Sequence, residues 1–180
     1  MVNNAHYEFN SGNYSNNSVG KKAMDKIDRR ILAALQSDGN ITNLELADKV
    51  GLSPSPCARR VKQLEETGVI GRTVTLLNPL KLNLKLTAII HINMDRHTPE
   101  RFEEFERTVA EFPEVVECLL VTGQSADYQL RVRVPDMEEY QAFLLNKITR
   151  IEGVTDVHSS FIMREVVSKT EMPLNHMVLS

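Results

Sequence analysis

A chain of 180 residues with 42% apolar and 25% charged side chains holds enough apolar material for one ordinary domain or two small ones, which excludes a disordered polymer. Its uninterrupted apolar runs span only a few residues, far short of the roughly 20 that a membrane-crossing helix requires. The net charge of −3 hides an asymmetry, because residues 20–82 carry 11 Lys and Arg against 7 Asp and Glu while residues 83–180 carry 10 against 16, a division suited to a nucleic-acid reader joined to a regulatory or oligomerising domain.

Residues 1–23 abound in Asn and Ser but lack the basic start and apolar run of a signal peptide, so they are expected to form a disordered extension. Cys57 and Cys118 stand 61 positions apart, which makes neither a disulfide framework nor a metal cluster and points to a reducing compartment, the cytoplasm. Residues 24–78 read as one domain and residues 85–170 as a second. Residues 79–84 supply the linker and the start of a strand, and residues 171–180 a C-terminal tail.

Three short helices are predicted in the first domain. Ile27, Ile31, Leu32 and Leu35 mark one face of the first, which ends at Asp38-Gly39. Thr42-Asn43-Leu44-Glu45 has the spacing of a capping box, in which the two side chains satisfy free backbone amides at the helix start. The second helix turns inward Leu46, Ala47 and Val50 and ends at Gly51, a residue that tolerates positive φ. Ser53 is placed to cap the third helix with Pro54 at its first position. A short helix, a Gly-containing turn and a capped third helix form the helix-turn-helix pattern.

At 100° per residue the third helix puts Cys57, Val61 and Leu64 on a buried stripe, with Ser55, Arg59, Lys62 and Gln63 opposite. Arg matches guanine bidentately in the major groove, Gln matches adenine, and Ser serves either. The reading residues are therefore expected to be Ser55 and Arg59, with Pro56 against a thymine methyl and Ser53 beside them. Arg60, Lys62 and Arg72 are expected on phosphates. After Gly68, the segment Val69 to Leu77 alternates as a small hairpin wing would.

From Leu82 to Met94 every even position is apolar, the alternation of a long strand with one buried face. Thr98-Pro99 opens a helix that turns Phe102, Phe105, Val109 and Phe112 inward. Strands are predicted around Val115 to Thr122 and Tyr128 to Val134, followed by a helix capped at Asp136 to Glu139 that bears Met137, Tyr140, Leu144 and Ile148, and an extended run over Val154 to Val167. The order βαββαβ describes a ferredoxin-like domain, which makes the fold α+β, a winged helix-turn-helix followed by a ferredoxin-like unit. Ile89, Leu119 and Val121 point to the sheet face away from the helices, so sheet-to-sheet dimerisation is expected.

The stretch Leu52-Ser53-Pro54-Ser55-Pro56-Cys57-Ala58-Arg59-Arg60-Val61-Lys62-Gln63-Leu64-Glu65-Glu66-Thr67-Gly68-Val69-Ile70, the run Leu44-Glu45-Leu46-Ala47-Asp48 and the exit Leu77-Asn78-Pro79 closely resemble the signature of the Lrp/AsnC transcription factors, the leucine-responsive and asparagine-type regulators. The back half resembles that family's amino-acid-sensing domain through Val121-Thr122-Gly123-Gln124-Ser125-Ala126-Asp127-Tyr128, with one residue more between Gly and Asp than the common form. The resemblance implies a bacterial or archaeal DNA-binding regulator on a pseudo-palindromic operator. It implies dimers, assembled further into octamers, with a small amino acid, leucine or methionine, between the sensing domains of neighbouring dimers. It places the effector on Thr122, Gly123, Gln124, Ser125, Asp127 and Tyr128, with Met137, Ser160, Phe161 and Ile162 at positions of effector response. The loop has a physical rationale, since an α-amino group seeks a carboxylate such as Asp127 and an α-carboxylate seeks the amides of a Gly turn.

No catalytic or cofactor pattern is visible. His6, His91, His97, His158 and His176 lack ligand spacing and read as surface or packing residues. Two other readings stay open: an effector-independent nucleoid-organising protein, and an amino-acid-binding adaptor whose basic helix meets a protein.

Overall fold

The computed structural model describes residues 24–123 and 126–177. The extension expected over residues 1–23, the candidates Gln124 and Ser125, and residues 178–180 lie outside the described residues. The chain divides into two units, one made of residues 24–74 with 169–177 and the other of residues 75–168. The C-terminal residues therefore belong by packing to the first unit.

The first unit contains α1 (Lys26–Ser37), α2 (Asn43–Val50) and α3 (Pro54–Glu66). Each start follows from its cap. The Asp25 carboxylate accepts the Ile27 and Asp28 amides while the Asp28 carboxylate accepts that of Asp25 at 3.0 Å, a reciprocal box. At α2 the same exchange links Thr42 and Glu45, as the spacing predicts. Gly51 closes α2 at φ 72°, a conformation in which any Cβ is strained. Ser53 does occupy the cap position of α3, but its side chain makes no capping bond; Pro54 at the first turn has no amide to be satisfied. Ile31, Leu32, Ala34, Leu46, Ala47, Val50, Cys57 and Leu64 form the core of this unit. Within the single chain the alternating segment after Gly68 is not paired as a hairpin: residues 71–78 carry no strand, and Val74, Leu76 and Leu77 are exposed. An extended segment needs a facing strand before it forms a ladder.

The second unit contains β1 (Leu86–Met94), α4 (Pro99–Ala110), β2 (Val115–Leu120), β3 (Tyr128–Val134), α5 (Met137–Asn146) and β4 (Val154–Phe161). The strands form one antiparallel sheet in the order β2-β3-β1-β4. Both helices lie on the same face, where Phe105 and Val109 of α4 and Tyr140 and Phe143 of α5 share a core with Ala88, Ile90, Ile92, Leu130 and Val132. This is the ferredoxin-like arrangement that the element order predicts. β1 starts later than its alternation suggests, because Pro79–Leu82 winds into a 3-10 turn capped by the Asn78 side chain, leaving Leu82 exposed. The last strand likewise stops at Phe161 rather than running to Val167.

The other sheet face is polar and open. Ile89 stands there opposite Arg131 and Ser160, and Leu119 opposite Gln129, which agrees with the predicted side for both. Glu165, beyond β4, reaches over this face to Arg131 at 3.5 Å and Arg133 at 3.9 Å.

Candidate nucleic-acid interface and effector site

α3 is held from both ends. The Asn43 side-chain amide donates to the Pro54 carbonyl at 3.0 Å, locking the start of α3 to the start of α2. Farther along, the Arg60 guanidinium bridges to Asp28 at 2.6 Å and Asp25 at 2.8 Å. With Cys57 and Leu64 buried beneath, the helix has one allowed rotation, and that rotation turns Ser55, Arg59 and Lys62 outward. Pro56 and Gln63 are partly buried at the flanks, and Ser53 is exposed at the helix start. Arg72 lies outside α3, in the exposed segment that follows it.

Arg60 departs from expectation. Its charge is matched by two carboxylates of α1, so it fastens the helix rather than presenting itself to a phosphate. The Asp25 carboxyl is held below the usual carboxylate range, chiefly by the Asp28 amide and further by Arg60. Asp25 and Asp28 thus help to fix the rotation of α3. Their signal was present in the sequence, since an acidic residue three positions after an acidic cap is the same box as Thr42 with Glu45.

The candidate effector residues divide into two groups. Gly123, at φ 78°, makes the turn after β2, and Thr122 is exposed beside it. Asp127 sits where β3 begins. Its Oδ2 accepts the Met94 amide at 2.8 Å and its Oδ1 the His97 Nε2 at 2.9 Å. The carboxylate thus ties the end of β1 and the loop beyond it to the start of β3, and His97, which sequence spacing leaves without a role, is its partner. Tyr128 is a correction: it is buried, packs at 4.5 Å on the Phe105 ring, and donates its hydroxyl to Glu106 at 2.7 Å. Burial, then this bond, pushes the phenol pKa upward. The residue anchors the loop from the core and has no surface to offer a ligand.

The second group sits at the opposite end of the sheet. Phe161 pairs with Ala88 and stacks edge-on against Tyr140 at 5.0 Å, Ser160 faces the open side opposite Ile89, and the Ile162 amide donates to Thr87. Met137 opens α5 and is exposed, while Phe143, which the sequence reading did not single out, fills the core. Asp127 lies beside the Ile92 end of β1 and Ile162 beside the Thr87 end, which at 3.4 Å per residue separates the groups by about 17 Å. One chain does not bring them together.

Among the described residues no cluster of His, Cys, Asp and Glu suits a metal ion, and no helix is long and apolar enough to cross a membrane.

Comparison with known proteins connects the two units. Residues 24–70 match the winged helix-turn-helix DNA-binding family, and residues 87–172 match the Lrp/AsnC ligand binding domain. The fold and the exposed α3 face define a DNA-binding transcriptional regulator with an attached ligand-binding domain. The chain is 44% identical over 145 residues to the leucine-responsive regulatory protein of Escherichia coli K12, covering 81% of this chain and 88% of that protein. A Neisseria meningitidis transcriptional regulator solved in complex with L-Met superposes with a TM-score of 0.82 at 40% identity, covering 87% of this chain and 100% of that one. An AsnC family regulator from Agrobacterium tumefaciens superposes at 0.81 with 46% identity, over 86% and 100%. The protein belongs to the Lrp/AsnC family of transcriptional regulators.

Proposed function

We propose that the protein reads discrete pseudo-palindromic operators through α3 and that a free amino acid, methionine or leucine, sets its DNA-binding state. One observation carries the reading: Ser55, Arg59 and Lys62 share an exposed face on a helix whose rotation is fixed by Asn43, Arg60 and the buried Cys57. A face that is merely solvated needs no such fixation, whereas base readout requires side chains placed to a fraction of an ångström. Ser55 and Arg59 reach base edges, with Pro56, Gln63 and Ser53 at the margins, and Lys62 and Arg72 contact phosphate.

The effector reading has support from the likeness to the L-Met-bound Neisseria regulator. Because Asp127 and Gly123 lie about 17 Å along β1 from Phe161, Ile162 and Met137, an effector pocket that uses both groups needs a second subunit. The proposed working form is therefore a dimer or a larger ring such as an octamer, acting in the cytoplasm. An amino acid regulates such an assembly by binding one of its DNA-competent states better than another.

Selection from a randomised duplex library tests the first part, with a two-fold symmetric motif as the expected product and unbroken coverage of all sequences as the result that favours a nucleoid-organising role. Arg59→Ala is expected to lower affinity for the selected duplex at least about tenfold and relax the preference at the base it contacts, while Lys62→Ala flattens the salt dependence; unchanged affinity in Arg59→Ala would instead favour an adaptor. Calorimetry with each of the twenty amino acids tests the second.

A further inference from the structure

The described C-terminal residues begin in one unit and end in the other. β4 finishes at Phe161 in the sheet unit, Ile162 still donates to Thr87, and Glu165 pairs with Arg131 and Arg133. From residue 169 onward the chain belongs to the helical unit. There the Met172 amide donates to Gln36 Oε1 at 2.6 Å and the Gln36 side-chain amide donates back to the Met172 carbonyl at 3.3 Å. Gln36 thus supplies both bonds that a paired strand would supply, from the last turn of α1. Leu174, which opens a 3-10 turn, and Met177, just past its end, then pack against the core formed by α1, α2 and α3.

Between these anchors the chain has little to hold it. Val166 and Val167 are exposed, so the link runs over the surface. The seven peptide steps from Glu165 to Met172 span at most about 24 Å when fully extended. A displacement at the end of β4 cannot be absorbed by unlimited slack.

We infer that residues 169–177 form a strap of the DNA-binding unit, through which the end of β4 acts on α1 as a second mechanical connection beside the one near Val74. The coupling half of this inference rests on the amino-acid-responsive reading above; the docking half does not. A polar clamp and two apolar anchors at the end of a solvated link are what a docked segment requires, and an unattached tail needs none of them.

The test compares the full chain with one ending at Ser168 and with Gln36→Ala, which removes the clamp and keeps the anchors. Amide hydrogen exchange in α1 is expected to quicken about tenfold or more in the shortened chain and less in Gln36→Ala, with β1 and β3 unchanged. Unchanged exchange in α1 in both variants would overturn the strap. Affinity for the selected duplex is then measured with and without L-methionine and L-leucine. If the strap carries the response, the effector-dependent change in the shortened chain shrinks to within about twofold of none, while calorimetric amino-acid binding persists. A response retained in full overturns the coupling. Absence of any response in the full chain overturns the effector reading and the coupling with it, and the docking is still decided by exchange.

Discussion

The two units solve the same problem with different materials. Among the described residues the helical unit buries small side chains, Ile31, Ala34, Leu46, Ala47, Val50 and Cys57 among them, and no aromatic. Its geometry depends on caps and charges: the Asp25 and Asp28 box, the Thr42 and Glu45 box, the Asn43 bond and the Arg60 bridge. The sheet unit buries Phe105, Tyr128, Tyr140 and Phe143 over a continuous ladder, where aromatic area and strand pairing dominate. A small core leaves polar contacts to decide orientation, and orientation is what a DNA-reading helix needs. A broad sheet tolerates polar variation on the face that its helices leave open.

The largest separation between the units is expected from Ile90→Ala. This fully buried side chain lies mid-sheet, and its truncation should cost about 2–5 kcal/mol, read by urea unfolding through the fluorescence of Tyr128 and Tyr140. Exchange protection in α1, α2 and α3 should stay as it was; a comparable loss there would mean that the units unfold as one.

Neighbouring arginines sharpen the comparison next. Arg60→Ala strands two carboxylates and should destabilise the helical unit by about 2 kcal/mol, whereas Arg59→Ala should change stability by less than about 0.5 kcal/mol. Thermal unfolding followed by helical circular dichroism separates them. Both should weaken DNA binding, Arg59 by removing a contact and Arg60 by loosening the helix. If Arg60→Ala left stability intact and steepened no exchange in α1, its assignment as a fastener would fail.

Thr42→Ala should follow at about 1 kcal/mol, the usual worth of a lost cap, with early fraying of α2 in hydrogen exchange. The smallest effect is expected from acid. Asp25 and Glu45 are both held below the usual carboxylate range, Asp25 chiefly by the Asp28 amide and Glu45 chiefly by the Thr42 hydroxyl. A lowered folded pKa adds stability above the unfolded value, and that stability disappears as pH falls through the folded value, which for both groups lies below the ordinary carboxylate range. The helical unit should therefore lose protection on acidification before the sheet unit, and Asp25→Asn should remove part of the dependence.

Much of the local grammar was legible, although Ser53 makes no capping bond and β1 starts later than its alternation. The Thr42 box, the turn at Gly51, the Pro54 start and the Thr98 and Asp136 caps each act within a few residues, so the order of elements and the outward face of α3 could be read from spacing. Arg60 could not, because its partners are 32 and 35 positions away and only the crossing of α1 with α3 brings them within reach. His97 is similar: nothing in its neighbourhood announces Asp127, 30 residues later.

By itself, the sequence determined which helix carries the basic, donor-rich face, a matter of periodicity along one stretch of chain, while the Gly and Asp loop stood out through its resemblance to the Lrp/AsnC signature. Tertiary structure alone decided that Tyr128 serves the core, that Asp127 and Phe161 stand at opposite ends of the sheet, and that the C-terminal residues return to α1. The reason is physical: strand register and chain return set distances between residues far apart in sequence, and no short-range pattern encodes those distances.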